Sequence, residues 1–244
     1  MNVNISDLTS LQIFNGFFTL IFVLISFIIG LRILLKYFSL KKKVYITVGL
    51  TLIFLSSPWW GRSLSFFSIL LFGYAFDPPL YVFLMNFFVA FIIVSWIYSF
   101  ADLIYPDSKN KIFIPYFIIS VVYEVVFIIL FLLDYEFIGQ YEGSYFDFSR
   151  KPFTLIFALF VLGSALITGF IFAKKSVSSE KPVTRWRGRF LLLAILIFTA
   201  SVALDLFVFD PNYRFIIRIF LIISSICYYL GFFLPENIAN RLSK

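Results

Sequence analysis

Four charged side chains lie inside long apolar stretches of the chain: Arg62, Glu124, Asp205 and Arg218. A charged side chain at membrane depth is costly, so it is usually paired, buried within the protein or part of a functional site. A guanidinium and a carboxylate can form an ion pair, and an isolated carboxyl group can contact a ligand or carry a proton. These four residues are therefore the first candidates for the chemistry of this protein.

The composition is that of a membrane protein. The chain has 244 residues, of which 61% are hydrophobic and 14% are charged, and 36 residues are Phe. Soluble domains carry about 25% charged residues, and a soluble core of this length could not bury so much apolar surface. The net charge of +7 is then interpreted through membrane topology rather than nucleic acid binding.

The residue types exclude several classes of membrane enzyme. Histidine is absent and Cys227 is the only cysteine, which argues against haem ligation, His-ligated zinc and Ser-His catalysis and forbids an internal disulfide. We expect no enzyme activity, no cofactor and no metal site.

Apolar segments of about 20 residues predict membrane-spanning helices. The sequence predicts an all-α, polytopic bundle of seven transmembrane helices forming a single domain over residues 1–244. The predicted spans are Leu11–Lys36, Val44–Tyr74, Pro79–Ile104, Ile112–Leu133, Phe153–Ala173, Phe190–Phe209 and Phe215–Leu234. The second is unusually long and contains Pro58, so it is either one kinked helix or a shorter span followed by a re-entrant segment Ser63–Tyr74.

The distribution of charge predicts the orientation. With the N-terminus outside and the C-terminus inside, fifteen Lys and Arg residues, Arg241 and Lys244 among them, fall at the inner ends and three at the outer ends. This is the bias expected of a multi-pass protein of the cell membrane. Acidic residues are predicted outside: Asp7, Asp77, Asp134, Glu136, Glu142, Asp147 and Asp210.

The polar residues of the spans concentrate at one depth. Glu124 follows Lys111 by 13 residues, which places it about 20 Å from the inner face. The inner half is nearly uncharged, and we expect no polar path through it. The predicted ligand-binding residues of a polar pocket in the outer half are Glu124, Asp205, Arg218, Asn86 and Arg62.

Structural alternatives exist for these residues. Asp205 and Arg218 flank the predicted turn 210–214 at matching distances, so they either form a structural ion pair between two helices or line the pocket. Arg62 either contributes to the pocket or extends to the outer interface beside Trp59 and Trp60. Glu124 either pairs with Arg62 or Arg218 or is protonated.

Three segments resemble a group of uncharacterised archaeal seven-helix membrane proteins. They are the kink Ser57-Pro-Trp-Trp60, the start of the sixth span Arg185-Trp-Arg-Gly-Arg-Phe-Leu-Leu-Leu-Ala194, and the end of the last span Tyr228-Tyr-Leu-Gly-Phe-Phe-Leu-Pro-Glu236. That group is similar in layout to the seven-span sensor halves of prokaryotic receptor kinases. The resemblance implies a sensor-like bundle, here without a recognisable output domain.

Three functions are consistent with these patterns. The first is a receptor or sensor that binds a small amphipathic ligand in the outer pocket and signals through helix movement to a cytosolic partner at Lys174–Arg189. The second is a small secondary transporter with Glu124 as proton or substrate site. The third is a structural subunit of a membrane complex. All three place the chain in a lipid bilayer, without nucleic acid.

Overall fold

The computed structural model describes residues 1–141, 146, 148–207, 211–235 and 237–238. Within these ranges the helices are α1 (Ser10–Leu40), α2 (Val44–Leu55), α3 (Trp60–Phe72), α4 (Pro78–Asn86), α5 (Val89–Ile104), α6 (Lys109–Leu133), α7 (Pro152–Val177), α8 (Pro182–Phe207) and α9 (Pro211–Phe233). Two short strands, β1 (Gly139–Tyr141) and β2 (Phe148–Arg150), pair antiparallel. Seven segments of these helices are long and apolar enough to cross a membrane. The prediction of an all-α chain with seven helices long and apolar enough to span a membrane is confirmed.

The predicted spans Phe153–Ala173 and Phe190–Phe209 leave residues 174–189 as a connecting loop, but most of this segment is helical. Helix α7 continues to Val177 and α8 already begins at Pro182, so residues 178–181 connect them. The three arginines of this segment lower its hydropathy without opposing helix formation, since arginine is a good helix former. Proline is moreover favoured at the first helical position. Hydropathy therefore placed the start of the sixth span at Phe190, eight residues after α8 begins at Pro182.

Some predictions fall on residues outside the described ranges. These concern Glu142, Asp147, Phe209, Asp210, Glu236, Arg241 and Lys244. The assignment of an outer and an inner side stays a prediction.

The chain divides into two compact units, Met1–Val161 and Leu162–Lys244. They are called the first and second unit below, and each is described by itself. The prediction of a single domain stays a prediction.

The second span of the first unit is the kinked helix. Helix α2 ends at Leu55, a 3-10 turn covers Ser57–Trp59, and α3 begins at Trp60. Pro58 causes the interruption, because it has no backbone N–H and its ring clashes with the preceding helical turn. The two helices belong to one candidate span, Val44–Phe72.

The third span is also interrupted, which the sequence did not predict. Helix α4 ends at Asn86 and α5 begins at Val89. The two interruptions meet in an aromatic cluster, in which the Phe54 ring stacks on Phe88 at 5.9 Å and Trp60 lies 4.8 Å from Phe88. Contacts between aromatic rings thus connect the interruption of the second span to that of the third.

Glycines permit close approach of helices in the first unit. A Cβ on Gly49 would lie 2.6 Å from the Gly30 carbonyl oxygen, and one on Gly61 would lie 2.6 Å from the Tyr81 carbonyl oxygen. Small residues at such crossings let membrane helices pack through their backbones. The α1–α2 and α3–α4 contacts depend on these positions.

One end of the first unit is closed by chain segments outside the helices. Asn2 forms a β-bridge with Tyr74, and the Val3 N–H donates to the Gly73 carbonyl at 3.0 Å. An apolar cluster lies beneath this contact and consists of Val3, Leu8, Phe66, Ile69, Ala75 and Phe146. We call this layer the end cap. It joins the start of the chain, the α3–α4 turn and the α6–α7 loop, so these three segments lie on one side, as the topology predicts.

In the second unit, α8 and α9 pack tightly. A Cβ on Gly231 would lie 2.3 Å from Leu191 Cγ, and Ser224 Oγ donates to the Ala194 carbonyl at 2.9 Å. Gly169 of α7 approaches Ile195 of α8 in a similar way. Packing is again through small residues.

Candidate functional site

Glu124 lies in the middle of α6 with both carboxyl oxygens buried. Neither oxygen has a hydrogen-bond partner among the residues that the structure describes. The predicted pairing with Arg62 is not formed, since Arg62 donates elsewhere. A buried carboxylate without a partner is strongly disfavoured, so the group is either protonated or completed by a cation or donor from outside these residues.

Ser120 is the nearest polar neighbour of Glu124 along the helix. It lies one turn earlier on the same face of α6, is 3% exposed, and its hydroxyl also has no partner among the described residues. Two adjacent polar groups with unused hydrogen-bonding capacity are unusual in a protein interior. The pair forms the most distinctive polar feature of the first unit.

Tyr123, which precedes Glu124 in the sequence, belongs to a group of packed aromatic rings on α6 and α7. The Tyr123 ring stacks on Phe157 of α7 at 3.6 Å and on Phe153 at 5.1 Å, and it lies 6.0 Å from Phe127. Many other α6 side chains are exposed, including Ile118, Val122 and Val125, as expected of a helix that borders lipid. The arrangement suits an amphipathic molecule with a polar head and an apolar body.

Arg62 has a structural role at the end cap. Its side chain is 7% exposed, and its Nη2 donates to the carbonyl oxygen of Phe146. The Tyr81 hydroxyl donates to the same oxygen at 3.1 Å. The alternative in which Arg62 extends to the outer interface is therefore wrong, because the guanidinium turns inward to hold the α6–α7 loop.

Asn86 stabilises the interruption of the third span. It is 1% exposed, and its side-chain amide donates to the Val82 carbonyl at 2.9 Å. An amide that bonds to the carbonyl four residues earlier competes with the helical backbone. Arg62, Asn86 and Glu124 form no hydrogen bonds to one another, and their shared role in a pocket stays a prediction.

Asp205 and Arg218 form the predicted ion pair of the second unit. Arg218 Nη2 lies 2.8 Å from Asp205 Oδ1, and the arginine side chain is fully buried while the carboxylate is 20% exposed. The structural alternative is confirmed. A further role of the pair in ligand binding stays a prediction.

The half of the first unit near Lys43 contains polar groups that the sequence analysis missed. The Thr51 hydroxyl donates to Ser95 Oγ at 3.1 Å, and the Ser99 hydroxyl donates to Thr47 Oγ1 at 2.7 Å. We call these four residues the hydroxyl seam between α2 and α5. The seam carries no charge, but its hydroxyl groups were not expected in this half, which the sequence predicts to be the inner one. The spacing of these residues could have indicated the seam. Thr47 and Thr51 are one helical turn apart, as are Ser95 and Ser99, so each pair lies on one helix face.

Outside the spans, Tyr74 and Asp77 are coupled at the end cap. The Tyr74 hydroxyl donates to Asp77 Oδ2 at 2.6 Å, and the N-terminal amine lies 3.2 Å from Oδ1. The hydrogen bond from Tyr74, followed by that from the amine, lowers the pKa of the Asp77 carboxyl, because both favour its charged form. The same hydrogen bond raises the pKa of Tyr74.

Comparisons with known proteins assign no family. No protein-family model matches the chain. The curated proteins and the solved structures gave no match either. The resemblance to archaeal seven-helix proteins and to receptor-kinase sensor halves stays a prediction.

Within the described ranges, no group of three or more Asp, Glu or Cys side chains is placed to hold a metal ion. The groups that the structure does place at the site are the Glu124 carboxyl and the Ser120 hydroxyl. These can bind a cation or a hydrogen-bond donor.

Proposed function

We propose that this protein is a seven-helix membrane receptor or sensor that binds a small amphipathic ligand at Glu124. The supporting observation is the buried Glu124 carboxyl group, which has no hydrogen-bond partner among the described residues. A charged or polar group of this kind within a membrane span is a functional candidate by default.

The other charged groups of the spans leave Glu124 as the strongest candidate. Arg62 is engaged by the Phe146 carbonyl, and Asp205 and Arg218 engage each other. Each of these contacts has a structural explanation. The Glu124 carboxyl has no hydrogen-bond partner within the described residues. A ligand contact is therefore the simplest explanation for a carboxyl group at this position.

The surroundings define the chemical class of the ligand. A carboxyl group beside the Ser120 hydroxyl favours a protonated amine, which offers both positive charge and several donors. The stacked rings of Tyr123 and Phe157 favour an apolar body attached to that amine. Because neighbouring α6 side chains are exposed, such a ligand can arrive laterally from the bilayer.

The interrupted spans offer a way to transmit ligand binding along the protein. The breaks in the second and third spans are joined by Phe54, Trp60 and Phe88, and α5 packs against α6. Interrupted helices can absorb a change of angle at few residues. A ligand at Glu124 would therefore shift α6 against α5 and move both breaks.

The test uses alkylamines in nanodiscs of neutral lipid. Octylamine is compared with octanol on the wild-type protein, on Glu124→Gln and on the matched control Glu136→Gln, whose residue is exposed outside the spans. We expect octylamine, beyond the effect of octanol, to raise the unfolding temperature of the wild type and of Glu136→Gln but not of Glu124→Gln. An equal amine effect on all three proteins would contradict the proposal.

A second candidate function is a small secondary transporter. The hydroxyl seam Thr47, Thr51, Ser95 and Ser99 favours it, because it provides polar groups in the half that a transport path from Glu124 would have to cross. Proton flux into proteoliposomes, followed with an internal pH dye, tests this candidate. Flux that is lost both in Glu124→Gln and in Thr51→Val/Ser95→Ala would favour transport over sensing, and its absence in the wild type would exclude proton transport.

A further inference from the structure

The facing ends of α7 and α8 form a strongly basic corner in the second unit. Between residues 174 and 189 the chain has six Lys or Arg residues and a single acidic residue, Glu180. Lys174, Lys175, Lys181 and Arg189 are exposed, and Arg185 is half-buried. Such a concentration of positive charge suggests a binding role in addition to its effect on membrane orientation.

Close helix packing fixes the register of this corner. A Cβ on Gly188 of α8 would lie 2.7 Å from Ser176 Cβ, and one on Gly169 of α7 would lie 2.7 Å from Ile195 Cδ1. These two contacts align the antiparallel helices so that Lys175 lies at the height of Arg189. Arg185 precedes Arg189 by one turn and lies on the same face of α8.

Arg187 has a different role from the other arginines. Its Nη2 donates to the Leu234 carbonyl just beyond α9, at 3.0 Å. It therefore binds a helix end, where carbonyl groups lack helical partners and the helix dipole favours a cation. Arg187 therefore has a structural role, whereas Arg189 is exposed and Arg185 is half-buried.

An aromatic side chain supports the second of these arginines. The Arg189 guanidinium lies over the Trp186 ring at 4.4 Å, and Trp186 contacts Phe190 at 6.3 Å. Tryptophan beside an apolar run is typical of the membrane interface. Stacking on an aromatic face keeps a guanidinium oriented and leaves its N–H groups available for an anion.

We propose that this corner binds the phosphate group of an anionic phospholipid. Arg185 and Arg189 would donate to the phosphate oxygens, with Lys175 at the same height, while the acyl chains follow the apolar surface beyond Phe190. Arginine forks match phosphate geometry, and basic positions between helices at the membrane edge bind anionic headgroups. The proposal is independent of a ligand at Glu124.

A lipid fits this corner better than a cytosolic protein. The connection between α7 and α8 has four residues, so it projects little surface for a protein partner. Trp186 and Phe190 mark the boundary of the apolar span, where headgroups lie. Membrane orientation alone requires only net positive charge, whereas the stacked arginine and the fixed register add a defined geometry.

The test measures lipid retention by native mass spectrometry. The full chain in neutral detergent is titrated with dioleoylphosphatidylglycerol or dioleoylphosphatidylcholine, and the bound lipids are counted. We expect the wild type to retain phosphatidylglycerol selectively. Arg185→Gln/Arg189→Gln should weaken its retention by about 30-fold, since each basic residue at an anionic surface contributes a factor of about five.

Two variants and one competitor decide the outcome. Lys42→Gln/Lys43→Gln removes the same charge at the exposed α1–α2 corner and should retain the lipid, while Arg185→Lys/Arg189→Lys should recover much of the selectivity. Equal losses in the two Gln variants would show a general charge effect and overturn the proposal. Displacement of phosphatidylglycerol by equimolar inorganic phosphate would also overturn it, because the corner would then be a site for the free anion.

Discussion

Arg218 lies fully buried on α9 with its Nη2 2.8 Å from the Oδ1 of Asp205 on α8. The two helices are antiparallel neighbours, and the carboxylate keeps part of its surface exposed. A buried guanidinium needs this partner, because an uncompensated charge in an apolar interior is very costly.

Removal of the partner charge should therefore destabilise the second unit. Asp205→Asn leaves the Arg218 charge buried, and we expect a loss of about 3 kcal/mol in the free energy of unfolding. The measurement is reversible unfolding in mixed micelles. Asp205→Asn/Arg218→Gln should recover part of the loss, and a double variant that loses the sum of both single changes would contradict the ion pair.

The shared acceptor at Phe146 predicts coupling between Arg62 and Tyr81. Tyr81→Phe removes one hydrogen bond to that carbonyl and should cost about 1 kcal/mol. Arg62→Gln should cost more, because the charge-assisted bond is the stronger of the two. The two losses should not add, since both donors hold one oxygen.

Tyr116→Phe is the matched control for Tyr81→Phe. Its ring stacks on Phe160 at 5.8 Å, and its hydroxyl has no hydrogen bond within the described part of the chain, so we expect a change below about 0.5 kcal/mol. A Tyr81→Phe protein as stable as Tyr116→Phe would refute the shared acceptor.

Gly49 should be intolerant of the smallest side chain. The Cβ of Gly49→Ala would lie 2.6 Å from the Gly30 carbonyl oxygen, so α1 and α2 must separate, at a cost of about 1 to 3 kcal/mol. Gly163 is the control, because a Cβ there meets nothing within 4 Å. Gly163→Ala should be neutral or slightly stabilising, as alanine is the better helix former. Equal stability of the two variants would contradict the close crossing.

The end cap should open at low pH. The pKa of Asp77 is lowered from its ordinary value of 3.8 by the Tyr74 hydroxyl first and the N-terminal amine second. Its contribution is therefore complete above that ordinary value and is lost as the pH falls through the lowered pKa. The protection factors of the Val3 and Ala75 amides, which bond across the cap, should fall in that acidic range. Asp77→Asn should show the lower protection factors at every pH, and unchanged protection in this variant would refute the role of Asp77.

The sequence predicted the features that depend on local pattern. Seven apolar segments predicted the spans, and the similar distances of Asp205 and Arg218 from the predicted turn, five and four residues, suggested their pairing. Helix geometry converts such spacing directly into position. The kink at Pro58 was predictable for the same reason, because proline acts on its own backbone.

Three features could not be predicted, for different physical reasons. The acceptor of Arg62 is the backbone of Phe146, 84 residues away, and no side-chain type marks a carbonyl as an acceptor. The break at Asn86 has no proline or glycine beside it, and it arises where the side-chain amide bonds to the Val82 carbonyl. The start of α8 was misplaced because hydropathy indicates whether a segment lies in lipid or in water. It does not indicate whether the backbone is helical.

The most direct test concerns the Glu124 carboxyl group. Infrared difference spectra of the protein in neutral nanodiscs, recorded before and after addition of octylamine, report changes in buried carboxyl groups. We predict a difference band that persists in Glu136→Gln and disappears in Glu124→Gln. A wild-type spectrum without any carboxyl change, while octylamine still stabilises the protein, would contradict ligand binding at Glu124.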